Sequence, residues 1–151
     1  MTLESIKTAT RLAENAAFAV QAMQAAEWTK QEDHSVQHWM AVLMRVMAMP
    51  QDKREVVIVW DGETPVGFGA LVVAESFCGD VQLWTLAVYS APGHGSAMPQ
   101  ILQHGVEWGR AHGFGKLFSR SRKPTPARRV LFEKHWGFTE NAVEFVKDIT
   151  I

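Results

Sequence analysis

The residues whose types and spacing point most directly to chemistry are Gly93-His94-Gly95-Ser96-Ala97. They stand between a β-branched, aromatic run ending near Val88 and a stretch of helical periodicity that begins at about Ser96. A strand that enters a Gly-x-Gly loop and leaves as a helix aims unpaired backbone N–H groups at one point. Glycine lets the main chain approach an anion closely, and the helix dipole favours negative charge at that end. The expected donors are the N–H groups of Gly93, His94, Gly95, Ser96 and Ala97, the expected guest is a pyrophosphate, and a protonated His94 ring could add a contact. A lone Gly-x-Gly is a weak signal, and standing alone it reads first as a plain turn that caps a helix.

Other reactive groups form poorer constellations. His34 and His38 are spaced to share a helix face, but no third ligand is placed with them, so no metal is expected. Cys78 sits in a turn without a basic neighbour to activate it. Ser119 and Ser121 lack the strand–elbow–helix setting of a hydrolase serine.

The elements that must position the loop can be read from periodicity. Ile6-Lys7-Thr8 suits a short edge strand. Thr10 caps a helix to about Trp28, with Leu12, Ala16, Ala19, Val20, Met23 and Ala26 on one face. Ser35 caps a second helix with Val36, Trp39, Met40, Leu43 and Met47 inward, and Pro50 follows its end. The period then changes to that of strands: Glu55–Trp60, Val66–Ala74 and Val81–Val88, joined by turns at Asp61-Gly62 and Cys78-Gly79-Asp80. Joints this short make an antiparallel meander. Gly67 and Gly69 mark a close approach or a bulge. A helix from Ser96 to His112 leads to a strand Leu117–Ser121, which must run parallel to the third meander strand because a helix connects them. Thr125-Pro126 starts a last helix that Gly137 stops, and Val143–Ile149 alternates as a closing strand. The fold class is mixed α/β, a mostly antiparallel sheet flanked by about four helices, in one domain over residues 1–151.

Composition bounds the partners. The chain is 47% hydrophobic and 21% charged, which is globular. Its net charge of -1 supplies no field to draw the whole protein to nucleic acid. No apolar run is long enough to span a bilayer, so no membrane is expected. A single cysteine and a first segment without the basic-then-apolar pattern of a secretory signal suit a cytoplasmic protein. An exposed C-terminal strand could pair across a homodimer.

Two segments carry a family resemblance. Leu86-Ala87-Val88-Tyr89-Ser90-Ala91-Pro92-Gly93-His94-Gly95-Ser96-Ala97 resembles the acyl-CoA loop of the GCN5-related N-acetyltransferases, written Arg/Gln-x-x-Gly-x-Gly/Ala. Gly95 and Ala97 match it, whereas Pro92 stands where Arg or Gln belongs. Ala127-Arg128-Arg129-Val130-Leu131-Phe132-Glu133-Lys134-His135-Trp136-Gly137-Phe138 resembles the family's Ala-x-x-Leu-Tyr-Glu-Lys-x-Gly-Phe ending, with one extra residue before Gly-Phe. The element order is also similar.

The resemblance implies acyl transfer from acetyl-CoA, or another acyl-CoA, to the amine of a small molecule or peptide. It implies that the third and fourth sheet strands splay. Main-chain groups near Leu86 and Val88 would then pair with the pantetheine arm as with another strand. The acceptor would enter from the side of the first two helices. Between Arg110 and Lys134, eight Lys and Arg stand against one acid, Glu133. That excess, Lys123 and Arg128 included, could face the 3′-phosphate of CoA or be a solvated face.

The family's usual acid–base groups are absent. Phe132 or Glu133 holds the place of the Tyr in the last helix, and Gln82 that of a third-strand carboxylate. Tyr89, the only tyrosine, ends the third strand beside the expected thioester and is the candidate acid. The alternative is a fold without catalysis, a scaffold that contacts a macromolecule through its basic C-terminal third.

Overall fold

A computed structural model describes residues 1–26, 34–120, 125–141 and 147–149. The chain divides into two compact units, Met1–Arg120 and Ser121–Ile151.

The first unit holds one five-stranded sheet in the order β1-β2-β3-β4-β5. Its strands are β1 (Thr2–Ser5), β2 (Arg54–Asp61), β3 (Thr64–Glu75), β4 (Val81–Ser90) and β5 (Leu117–Phe118). Strands β1 to β4 pair antiparallel and β5 joins β4 in parallel, as the connections require. Gly62, at φ 61, makes the tight β2–β3 turn.

The edge strand lies earlier than its apolar residues suggest. It spans Thr2–Ser5 rather than Ile6–Thr8, because Thr8 is used otherwise. The Thr8 hydroxyl accepts from the Arg11 N–H and caps α1 (Ala9–Glu14), so Thr8 and not Thr10 starts the helix. The expected long helix is two: Asn15 ends α1, its side chain donates to the Arg11 carbonyl, and α2 (Ala16–Ala25) restarts beyond it. A short amide side chain that bonds local carbonyls competes with the helix ladder. Helix α3 (Val36–Ala48) is capped by Ser35 as expected.

Helices α2 and α3 cover one face of the sheet. Met23, Trp39, Leu43 and Met47 bury there against Val56, Ile58, Phe68 and Ala70. Each of the larger of these side chains, such as Met23, Leu43, Ile58 and Phe68, contributes about 1.5–3 kcal/mol by leaving water. Helix α4 (Ala97–Ala111) covers the other face, where Ala97 and Ile101 pack on Val57, Val59 and Val66. Glycine lets α4 lie unusually near the strands. A Cβ on Gly67 would stand 2.8 Å from Ala97 Cβ, and one on Gly69 would run into Ile101. On the helix, a Cβ on Gly109 would stand 2.8 Å from Leu83 Cδ2.

The α4 face also holds a charge cluster that no pattern announces. Glu55 is 3% exposed on β2. Its carboxylate accepts from Ser5 Oγ at 2.8 Å and from His104 Nε2 of α4 at 2.6 Å, with Lys7 Nζ 3.6 Å away. Burial raises the affinity of Glu55 for a proton, but the hydrogen bonds from His104 and Ser5 and the charges on Lys7 and His104 outweigh it, and its pKa is lowered. Ser5 and His104 both donate to the acid and no Ser–His contact is present, so this is a clamp between α4 and the β1–β2 edge, not a nucleophile. A carboxyl with a depressed folded pKa lends stability above its unfolded value of about 4.3 and loses it as pH falls through the folded value. Thermal melts between pH 7 and 3 should therefore show a loss on acidification that is smaller in Glu55→Gln, and an equal loss in that variant would refute the clamp.

In the second unit, α5 (Pro126–Val130) is capped by Thr125, whose hydroxyl accepts from the Arg128 N–H, with Pro126 at the first position. Leu131–His135 continue as a π-helical turn in which the Trp136 N–H reaches the Leu131 carbonyl at 2.9 Å. The wider turn absorbs the extra residue before Gly137-Phe138, and Gly137, at φ 73, still ends the helix. Phe132 packs edge-on to Trp136 and Phe138. Of the expected closing strand, residues 143–146 lie outside the described residues, and Lys147–Ile149 are irregular.

Candidate active site

The strand–loop–helix unit has the form its sequence predicts: β4 ends at Ser90, and α4 begins at Ala97. Gly93 takes φ 80, which explains glycine there. The donor set is smaller than expected. The His94 N–H already reaches the Ala91 carbonyl, and the Ala97 N–H the His94 carbonyl, both at 3.0 Å. These two turn bonds fold the loop and remove two of the five expected donors. The N–H groups of Gly93, Gly95 and Ser96 have no acceptor among the described residues, and all three residues are exposed. Pro99 in the first turn of α4 brings no N–H, so the amide supply is concentrated in the loop. The Ser96 hydroxyl makes no cap bond.

The His94 ring stands over the same loop. Its Nδ1 lies 3.2 Å from the Pro92 carbonyl and its Nε2 3.4 Å from Asp61 Oδ2 on the β2–β3 turn. Asp61 was not expected here; its only sequence role is that of a turn residue.

Between loop and sheet edge, β4 carries an irregularity. Ala70 pairs with Ala87 but Leu71 with Thr85, which leaves Leu86 as a bulge residue. The bulge reverses the alternation of the strand. Leu83 packs under α4, whereas Ala87 and Tyr89 belong to the α2–α3 face and Val88 to the α4 face. Bulges gather beside functional sites because they re-aim side chains and interrupt pairing. The β4–β5 ladder takes in Leu83↔Leu117 and Trp84↔Phe118, with Thr85 Oγ1 donating to Ser119 Oγ at 2.8 Å just beyond. Strand β4 continues to Ser90 past those pairs.

Tyr89 lies on the α2–α3 face with its ring 6.0 Å from that of Phe18. Its hydroxyl has no partner among the described residues. Gln82 accepts a hydrogen bond from Trp84 Nε1 at 3.1 Å, so its carbonyl oxygen is engaged. Lys123 lies outside the described residues, and Arg128 belongs to the second unit. Among the described residues no cluster of three metal-ligating side chains occurs, and no helix is long and apolar enough to cross a membrane.

This architecture is that of the GCN5-related N-acetyltransferases. The chain is similar over 99% of its length, and over 100% of theirs, to the structures of three such enzymes. They are the aminoglycoside N-acetyltransferase AAC(6')-Iy with a bisubstrate analogue of CoA (13% identity, TM-score 0.73), the aminoglycoside 6'-N-acetyltransferase AAC(6')-IG from Acinetobacter haemolyticus (11%, 0.72) and glucosamine-6-phosphate N-acetyltransferase from Arabidopsis thaliana (9%, 0.67). No protein-family model matches the sequence, and no curated protein sequence matches it. At such identities the likeness establishes the fold.

Proposed function

We propose that the chain is an N-acyltransferase that takes its acyl group from acetyl-CoA or a related acyl-CoA and delivers it to a primary amine. The observation that carries this reading is the set of exposed N–H groups of Gly93, Gly95 and Ser96 at the mouth of α4, which have no acceptor among the described residues. Three such donors beside a helix N-terminus match the oxygens of a pyrophosphate. Beside them, the main chain of β4 near Val88, beyond the Leu83 and Trp84 pairs with β5, is the edge along which we place the extended arm. The acyl-CoA supplies an activated thioester carbonyl.

In the transfer, the amine nitrogen bonds to the acyl carbon and the C–S bond breaks with its electron pair on sulfur. The proton lost by the amine ends on the thiol. Gln82 cannot take that proton. Tyr89, on the acceptor-facing side at the end of β4, is the residue we assign to return it to sulfur, with water between where reach requires. Holding the two reactants in line supplies much of the rate in such a transfer.

Calorimetric titration with acetyl-CoA tests the reading. Binding in the micromolar range is expected, and no heat at millimolar ligand would remove it. Tyr89→Phe should lower kcat by about tenfold to a hundredfold, the low end of what one proton-transfer group contributes, with little change in acetyl-CoA affinity. An unchanged kcat would strip Tyr89 of the role.

A further inference from the structure

The His94 side chain crosses from the loop to the β2–β3 turn, and the backbone shows why the two adjoin. Strand β4 pairs with β3 as far as Gly67↔Ser90, and the Ala91 N–H then donates to the Val66 carbonyl at 2.8 Å. The loop therefore starts beside the first residues of β3. Asp61 stands across the Gly62 turn from them, paired with Thr64. The side chains of His94 and Asp61 are 36% and 61% exposed, so a ligand in solution can reach both.

Both ring nitrogens of His94 face acceptors. Nδ1 lies 3.2 Å from the Pro92 carbonyl oxygen and Nε2 3.4 Å from Asp61 Oδ2. A neutral imidazole donates from one nitrogen and accepts at the other, so only the doubly protonated ring can donate to both oxygens. The arrangement suits a cation held against a carboxylate, a pair without net charge. Pro92 stands where the family loop has Arg or Gln, so within residues 91–96 His94 is the one side chain that can become a cation. The neighbouring elements add few charges. Glu63 shares the turn with Asp61, Tyr89 lies near the end of β4, and Met1, whose Sδ is 4.0 Å from Ser96 Oγ, carries the terminal amino group. Helix α4 has no Asp, Glu, Lys or Arg before Glu107, and its His104 is bonded to Glu55.

We propose that His94 is a pH-dependent ligand of the acyl-CoA phosphates and that Asp61 is the resting partner they replace. This rests on the acyl-transfer reading. His94 stands in the chain between Gly93 and Gly95, two residues whose N–H groups have no acceptor among the described residues. A pyrophosphate held by those amides brings its negative oxygens to the charged ring, and a charge-assisted hydrogen bond from Nε2 joins the set. Leaving Asp61 costs little, because an exposed ion pair contributes little, and the carboxylate returns to water. Asp61 also opposes the phosphates as a like charge. The sign of the pH dependence follows. The phosphates bind the protonated ring better than the neutral one, so affinity rises as pH falls through the range in which histidine ordinarily gains its charge.

The test is calorimetric titration with acetyl-CoA at about pH 8 and about pH 5.5, the two ends of that range, in the wild type, His94→Gln and Asp61→Asn. Both side chains are exposed, and the variants should melt as the wild type does. The phosphate monoester of CoA titrates near pH 6 itself, but it is common to all three chains and cancels between them. At the higher pH, where histidine is ordinarily neutral, the wild type and His94→Gln should bind alike. At the lower pH the wild type should bind about tenfold tighter than His94→Gln, the low end of one charge-assisted hydrogen bond. Asp61→Asn should then bind up to about fivefold tighter than the wild type, within the range of an exposed ion pair. If the ratio of wild type to His94→Gln is the same at both pH values, or if Asp61→Asn binds more weakly at the lower one, the proposal is overturned and the transferase reading stands. If no chain binds acetyl-CoA at either pH, the acyl-transfer reading fails and this proposal with it.

Discussion

Ser96→Pro should weaken acetyl-CoA binding by about tenfold or more while leaving the fold intact. Ser96 has φ -67 and ψ -14, a conformation proline adopts without strain. Its N–H makes no bond among the described residues, and Gly95 before it has no Cβ to meet the ring. The substitution thus deletes one hydrogen-bond donor and little else, and proline at a compatible site restrains the unfolded chain. A hydrogen bond to a charged group contributes about 1.5–3 kcal/mol, or roughly one to two powers of ten in affinity. Ser96→Ala keeps the amide and removes the hydroxyl, and should bind nearly as the wild type does. Equal affinity in Ser96→Pro and the wild type, measured by calorimetry alongside melting temperatures, would mean that this amide holds no phosphate.

Gly67→Ala should damage both stability and binding. The added methyl would lie 2.8 Å from Ala97 Cβ and 3.1 Å from Val59 Cβ. Neither atom can rotate away, since both are fixed to their backbones. Overpacking of this kind costs about 1–3 kcal/mol. Because Ala97 is the first residue of α4, relief must come from moving the helix end that carries the loop, so acetyl-CoA affinity should fall by more than the loss of folded protein explains. A comparison with Gly109→Ala, which strains the far end of α4 against Leu83, isolates the effect: it should lower stability with a smaller change in affinity. Equal affinity losses in the two variants would argue that α4 does not position the loop.

Legibility in the sequence followed the range of the interactions. The meander was readable because Asp61-Gly62 and Gly79 force turns locally and β-branched residues fill the strands between them. The parallel pairing of β4 and β5 followed from the helix between them. Gly67 and Gly69 mark a close approach in the sequence, but the residues that make them necessary, Ile101 and Ala97 on α4, lie some thirty residues away and no local pattern names them. Thr8 and Thr10 are equally good caps by type, and only the strand register decides between them. The break at Asn15 depends on a side-chain bond that competes with propensity.

At the site, the loop was legible as an anion cradle but its donor count was not. Whether an N–H is spent on a turn depends on how tightly the loop folds, and the Ala91 and His94 carbonyls take two of the five. The Leu86 bulge was hidden because β4 is apolar on both faces, which erases the alternation that a register shift would disturb. The Glu55–His104 clamp joins residues 49 apart and has no signature beyond an acid in an otherwise apolar strand. The π-helical turn is the instructive case at the C-terminal segment. An extra residue there looked like a departure from the family ending, and the structure absorbs it by widening one turn.

The most direct measurement follows the backbone amides themselves. Addition of CoA to isotope-labelled protein should move the Gly93, Gly95 and Ser96 N–H resonances strongly as they gain phosphate oxygens. The His94 and Ala97 N–H groups, already bonded within the loop, should move less. If those three resonances stay in place while CoA binds elsewhere, or if CoA binds nowhere, the assignment of this loop as a pyrophosphate cradle is wrong.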